Sequence, residues 1–125
     1  MSYSILTDKS KLFALRIVRL HKYLTEEKRE YLISKQLFRA GTSIGANIRE
    51  SKRAQTDADF YSKLTISLKE AEESAYWLEL LFESDYITQA QFNSLYKDCE
   101  ELLSMLVAIT KKQKHKLQYQ KQQKK

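Results

Sequence analysis

Both glycines of this 125-residue chain stand in one stretch, Leu37 to Arg53, which reads LFRAGTSIGANIRESKR. Around Gly41 and Gly45 lie Ala40, Thr42, Ser43, Ala46 and Asn47, so large side chains are missing over roughly two to three helical turns. A glycine inside a helix costs roughly 1 kcal/mol relative to alanine. Close approach of a second helix is the gain that offsets two of them. The chain contains no proline. With 42% hydrophobic and 30% charged residues, it reads as long helices joined by short turns.

At this length one domain with a genuine core is expected. No window approaches 18 uncharged apolar residues, so no membrane span is expected. Met1 to Ser10 lacks a basic-then-apolar leader pattern, and Cys99 is the single cysteine. Both point to the reducing cytoplasm. The net charge of +6 is local in origin. Lys111 to Lys125 holds seven lysines and no acid, and without it 15 basic residues face 16 acidic ones.

Taken in order, Thr7 or Asp8 is the expected cap of a first helix running to about Leu24. Phe13, Ile17, Leu20 and Leu24 form its apolar stripe. A polar turn at Thr25–Arg29 leads to a second helix from about Glu30 through Arg53, with Ile33, Leu37, Ile44 and Ile48 in phase. The chain breaks at Gln55–Asp57, with Thr56 as cap. A third helix follows on Phe60, Leu64, Leu68, Ala71, Ala75, Leu78 and Phe82. Residues 57 to 85 carry net charge −6, against +4 for residues 1 to 25. Thr88 and Gln91 have capping-box spacing for a fourth helix on Phe92, Leu95, Cys99, Leu102, Leu106 and Ile109. The segments Tyr76–Phe82 and Leu102–Ile109 are apolar nearly all round, which predicts burial on more than one side.

Four such helices with short connections predict an all-α, antiparallel up-down-up-down bundle over residues 1–110. Residues 111–125 then form a basic Lys/Gln-rich tail, either a helix extension or disordered. Folding the chain back at each turn sets residue 45 level with about residue 67 and about residue 105. The small-residue stretch should thus face the level where the fourth helix is apolar all round, and serve the core, a subunit contact or both. The same register gathers Arg49, Lys52, Arg53 and Lys111–Lys116 at one end, with Lys9 and Lys11 nearby. Glu26, Glu27, Glu30, Glu83 and Asp85 gather at the other.

The stretch RAGTSIGANIRES, followed by SKLTISLKEAEESAYWLELL, resembles the four-helix-bundle family encoded in 23S rRNA intervening sequences. The family's second-helix pattern R-A-x-x-S-I-x-x-N-I-x-E is matched by Arg39, Ala40, Ser43, Ile44, Asn47, Ile48 and Glu50. Its third-helix pattern is matched by Lys69, Glu70, Ala71, Glu73, Ser74, Trp77 and Leu78. The chain departs from the family at Gly45, where many members carry Pro, and at Ser51, where many carry Gly. The resemblance spans about residues 10 to 110 and implies a bundle that assembles as a ring, usually a pentamer. Relatives include the accessory protein of diversity-generating retroelements, which binds a reverse transcriptase and nucleic acid.

Little in the residues suggests catalysis. His21 and His115 are the only histidines, and neither belongs to the Glu-x-x-His pairs of di-metal bundles. Zinc would need more Cys and His than the chain has, and no phosphate loop or nucleophile elbow is present. No cofactor or metal is therefore expected. Glu70, Glu73 and Glu79 read as a solvated or salt-bridged face rather than a carboxylate pair. Asn47 and Glu50 read as a buried or interface polar network with Glu70 or Glu73, or else a ligand site. Trp77 packs between helices or subunits, or stacks on a base. Arg49, Lys52 and Arg53 with Arg16 and Arg19 form an anion patch, or else meet the acidic third helix of a neighbouring subunit. Lys111, Lys112 and Lys114 in the tail attract phosphate or simply keep the chain soluble. The expectation is a non-enzymatic homo-oligomer with RNA or the ribosome as partner, and a protein-protein scaffold as the alternative.

Overall fold

Helix α1 spans Tyr3–Glu26, α2 Ile33–Ser51, α3 Asp57–Glu83 and α4 Gln89–Gln123 in a computed structural model that describes residues 3–124. Lys125, at the end of the lysine-rich tail, lies outside the described residues. The apolar stripes close on one another. Phe13, Ile17 and Leu24 of α1, Leu37, Ile44 and Ile48 of α2, Leu64, Leu78 and Leu81 of α3, and Leu102 and Leu106 of α4 are all buried. The result is the expected all-α four-helix bundle. α2 packs on α1 and α3, and α4 packs on α3 and more lightly on α1, which leaves α2 and α4 on a diagonal.

The diagonal decides which helix the glycines meet. A Cβ on Gly41 would lie 2.8 Å from Ile17 Cγ1, and one on Gly45 would lie 3.2 Å from Ser10 Oγ. Both neighbours belong to α1. The predicted level is right, because Ser67 Oγ of α3 donates to the Ile44 carbonyl (2.9 Å). Depth along the bundle does not say which helix stands opposite, and the azimuth of Gly41 and Gly45 on α2 points them at α1 rather than at α4.

Helix boundaries shift for identifiable reasons. α1 begins at Tyr3 rather than at Thr7 or Asp8, and Thr7 Oγ1 bonds back to the Tyr3 carbonyl (3.0 Å) within the helix. α2 begins at Ile33 rather than Glu30. Glu30 is instead a buried cap, its carboxylate accepting the backbone N–H groups of Leu32 (3.1 Å), Ile33 (2.9 Å) and Ser34 (2.7 Å). Burial pushes that carboxyl up, but the three backbone donors outweigh it and hold it below the usual range. α2 ends at Ser51, with Lys52 as its C-cap rather than Arg53 as its last residue. Thr56 caps α3 through Asp59 N–H (3.0 Å), and the Thr88–Gln91 capping box is present. Arg29 (φ 52°) and Asp85 (φ 66°) turn the chain in the left-handed region at the end of the bundle opposite Thr56.

The two apolar segments are not buried on every side of a single chain. Tyr76 is 52% exposed, Trp77 is half-buried, and Val107 is 52% exposed. α4 continues through the basic segment as helix to Gln123.

Candidate nucleic-acid interface

The cationic residues gather where α2 ends, α3 begins and α4 passes both. Ser51 is buried and shares a hydrogen bond with the Tyr3 hydroxyl, which also donates to the Ile48 carbonyl (2.5 Å). Burial raises the Tyr3 phenol above its usual range, against the opposing effect of Ser51. The Tyr3 ring lies 5.9 Å from that of Phe60, and the Lys52 ammonium stands 5.4 Å over the Tyr3 ring. These contacts tie the first turn of α1 and the end of α2 into one wall. Beside it opens a cleft of about 490 Å³ lined by Lys52, Gln55, Asp57, Phe60, Gln113 and Lys116, among others.

Asp57 holds α4 to this end. Its carboxylate accepts from Gln120 Nε2 (2.9 Å), Lys116 Nζ (3.3 Å) and Gln113 Nε2 (3.4 Å). The bonds from Gln120 and Lys116 hold the Asp57 carboxyl below its usual range. One acid at the start of α3 thus clamps three residues of α4, spaced three and four apart on one helical face. Lys111, Lys112 and Lys114 are exposed and have no ion pair among the described residues. Arg49 and Arg53 are likewise exposed and unpaired among those residues. This end therefore carries five cations unpaired among the described residues, near a cleft at which Lys52 stands over the Tyr3 ring.

Arg16 and Arg19 do not join that patch. Arg16 Nη1 pairs with Asp98 (2.6 Å) and its Nη2 donates to Ser94 Oγ (2.8 Å), both on α4. Arg19 is exposed at a small hollow with Gln91 and Leu95. From Tyr3 to Arg16 is about 20 Å along α1 at roughly 1.5 Å per residue. Lys9 pairs with Glu101 (2.6 Å), so it too is committed to α4.

The motif residues form a second group, across α2 and α3. Arg39 Nη2 pairs with Glu73 (2.7 Å) and Nη1 reaches Glu70 (3.6 Å), while Trp77 Nε1 donates to the same Glu73 oxygen (3.3 Å). The expected network from Asn47 and Glu50 is not formed. Asn47 Nδ2 bonds the Ser43 carbonyl on its own helix (2.8 Å), and Glu50 reaches Lys63 (3.8 Å). Asn47 lies about two turns from Arg39, beyond reach of Glu70. Arg39 carried the signal, as a cation spaced to meet Glu70 and Glu73. Glu70 Oε2 is buried without a hydrogen bond, its nearest opposite charge being Arg39. Trp77, edge-on to Tyr76 at 5.0 Å, is engaged with its own helix.

Cys99 packs in the core with Sγ near the Ala71 carbonyl (3.3 Å). Burial, aided by Glu100 and Asp98, pushes its thiol up to about 12. Among the described residues no group of three or more His, Cys, Asp or Glu could hold a metal ion. Among the described residues no helix is long and apolar enough to cross a membrane.

With this geometry in place, the family pattern of 23S rRNA-intervening sequence proteins matches residues 4–108. The chain belongs to that family. It is 51% identical to a protein of unknown function from the S23 ribosomal protein family of Bacteroides thetaiotaomicron VPI-5482. That likeness covers 89% of this chain and 99% of the other, with a TM-score of 0.87. No curated protein matches the chain. The Arg39–Glu70–Glu73–Trp77 group lies inside the family match, whereas Lys111–Lys124 lies beyond its last matched residue.

Proposed function

We propose that this family member is a non-enzymatic, self-assembling bundle of the cytoplasm that binds RNA or a ribonucleoprotein through its basic end. The observation that carries this reading is the helical lysine segment held by Asp57 beside Arg49, Lys52 and Arg53. Free cations fixed on a rigid helix release counterions when they meet phosphate, which gives affinity that falls steeply with salt. Family membership supports the same reading. Assembly as a ring, five-fold by resemblance, would cover Ile66 and Tyr76 on α3 and Leu12 and Leu15 on α1, all partly exposed in the single chain.

Titration of the protein with RNA across a salt series tests the basic end. Alanine at Arg49, Lys52 and Arg53 together should weaken binding at least tenfold and flatten the salt slope by about two to three. Unchanged affinity and slope would remove these residues from the interface. The tail is better tested with Lys111, Lys112 and Lys114 replaced by alanine than by truncation, because a cut at Thr110 removes buried Gln113 and the partners of Asp57. The exposed apolar residues favour a second reading, a protein-protein scaffold with no nucleic-acid affinity at physiological salt. Light scattering decides the assembly itself, and a monomer would sink the ring under both readings.

A further inference from the structure

Tyr119 is an aromatic without a packing role. It is 63% exposed, and no ring or hydrogen-bond partner for it occurs among the described residues. Its neighbours on the same helical face are Lys112, His115, Lys116 and Gln123, at i−7, i−4, i−3 and i+4. Farther down α4 the same azimuth carries Ser94, Asp98 and Glu101, which contact Arg16 and Lys9 of α1. Lys112, Lys116 and Tyr119 stand about five turns beyond those three. Lys116, which pairs with Asp57 (3.3 Å) and would exchange that contact for a phosphate, also lines the cleft that holds Lys52 and Phe60, so one edge of the face borders it.

An exposed ring flanked by cations one and two turns away is the arrangement that takes unpaired bases. The ring supplies a stacking surface, and the cations meet the phosphates of the strand as it runs from that base toward the N-terminal side of the helix. A duplex offers phosphates to the same lysines but keeps its bases stacked on each other. We infer that this face of α4 is a platform for unpaired nucleotides, with a base on Tyr119 and the phosphates to one side of it at Lys116 and Lys112. The inference rests on the proposed RNA reading and deepens it, by selecting single-stranded over double-stranded segments.

The test compares a labelled single-stranded RNA with a hairpin duplex of equal phosphate count, using the full-length protein. Tyr119→Ala should lower single-strand affinity about tenfold or more with an unchanged salt slope, and leave duplex affinity as it was. Tyr119→Phe should restore the single-strand affinity. Lys112→Ala with Lys116→Ala should instead weaken both RNAs and flatten the slope by about two. Circular dichroism of each variant confirms that the helix persists. If Tyr119→Ala binds the single strand as the parent does while the lysine variant loses affinity, the platform is wrong and RNA binding stands. If the parent binds neither RNA, both fail.

Discussion

From Gln89 to Thr110 helix α4 buries Leu95, Cys99, Leu102, Met105, Leu106 and Thr110, whereas from Lys111 to Gln123 it buries Gln113 alone. One unbroken helix is held in its first part by apolar area and in its second by hydrogen bonds to a single acid, Asp57. A helix whose stability comes from burial cannot turn its buried face to a partner without unfolding. A helix held along one polar edge keeps most of its circumference free. The contrast explains how one segment serves the core and the next is left with unpaired cations. It also makes the second part the cheaper one to open.

The most damaging single change should fall in the first part. Leu106→Ala removes a fully buried side chain and is expected to cost about 2–5 kcal/mol in chemical denaturation. Leu117→Ala, half-buried in the second part, should cost under about 1 kcal/mol. Equal costs would mean that the two parts form one cooperative unit.

Next in size is Gly41→Ala, a closed contact on α2 that sets the scale for the packed region. The new Cβ would strike Ile17 Cγ1 at 2.8 Å, and Ile17 is itself buried. Overpacking of about 1–3 kcal/mol then outweighs the gain of about 1 kcal/mol in helix propensity. A more stable Gly41→Ala protein would show that Ile17 yields.

Asp57→Asn separates the two parts most cleanly. Amide exchange should quicken across residues 113–123 while global stability barely moves. Labelling of Cys99 should stay slow, because its thiol is buried and pushed up to about 12. Acid should mimic the change in the parent protein. The folded-state carboxyl of Asp57 is depressed, so its contribution is present above the ordinary carboxylate range and is lost as pH falls through the depressed value. Protection of residues 113–123 that persists under strong acid would show that the extension is held by something other than this carboxylate.

The smallest effect belongs to Gly45→Ala. Its new Cβ meets only the Ser10 hydroxyl at 3.2 Å and ordinary contacts at 3.5 Å, so propensity and crowding nearly cancel. A change within about 0.5 kcal/mol is expected by thermal melting. A loss as large as that of Gly41→Ala would mean that Ser10, bonded to the Thr7 carbonyl, is as rigid as Ile17.

Much of this architecture could be read without coordinates. The four apolar stripes, the caps at Thr56 and Thr88, the family pattern and the level of residue 45 beside about residue 67 all follow from spacing along one helix or from the connection between two. Glu30 has a local pattern that suits a helix start, yet α2 starts at Ile33. That its carboxylate caps from outside depends on the turn through Arg29 and on burial against Leu24, whose carbonyl takes the Glu30 N–H (2.9 Å). The ion pair of Arg16 escapes local pattern for a related reason. A basic residue on an outer face looks free until a neighbouring helix presents Asp98.

By itself the sequence determined that this chain makes four helices, where they begin to pack, and that its positive charge is concentrated at one end. Those properties come from periodicity and composition, which act over a few residues at a time. Only the tertiary structure decided which helix meets the glycines, that Arg39 rather than Asn47 joins α2 to the carboxylates of α3, and that Asp57 clamps the lysine segment. Each depends on the azimuth at which one helix faces another. That angle is set when all four apolar faces are buried together, and no single helix encodes it.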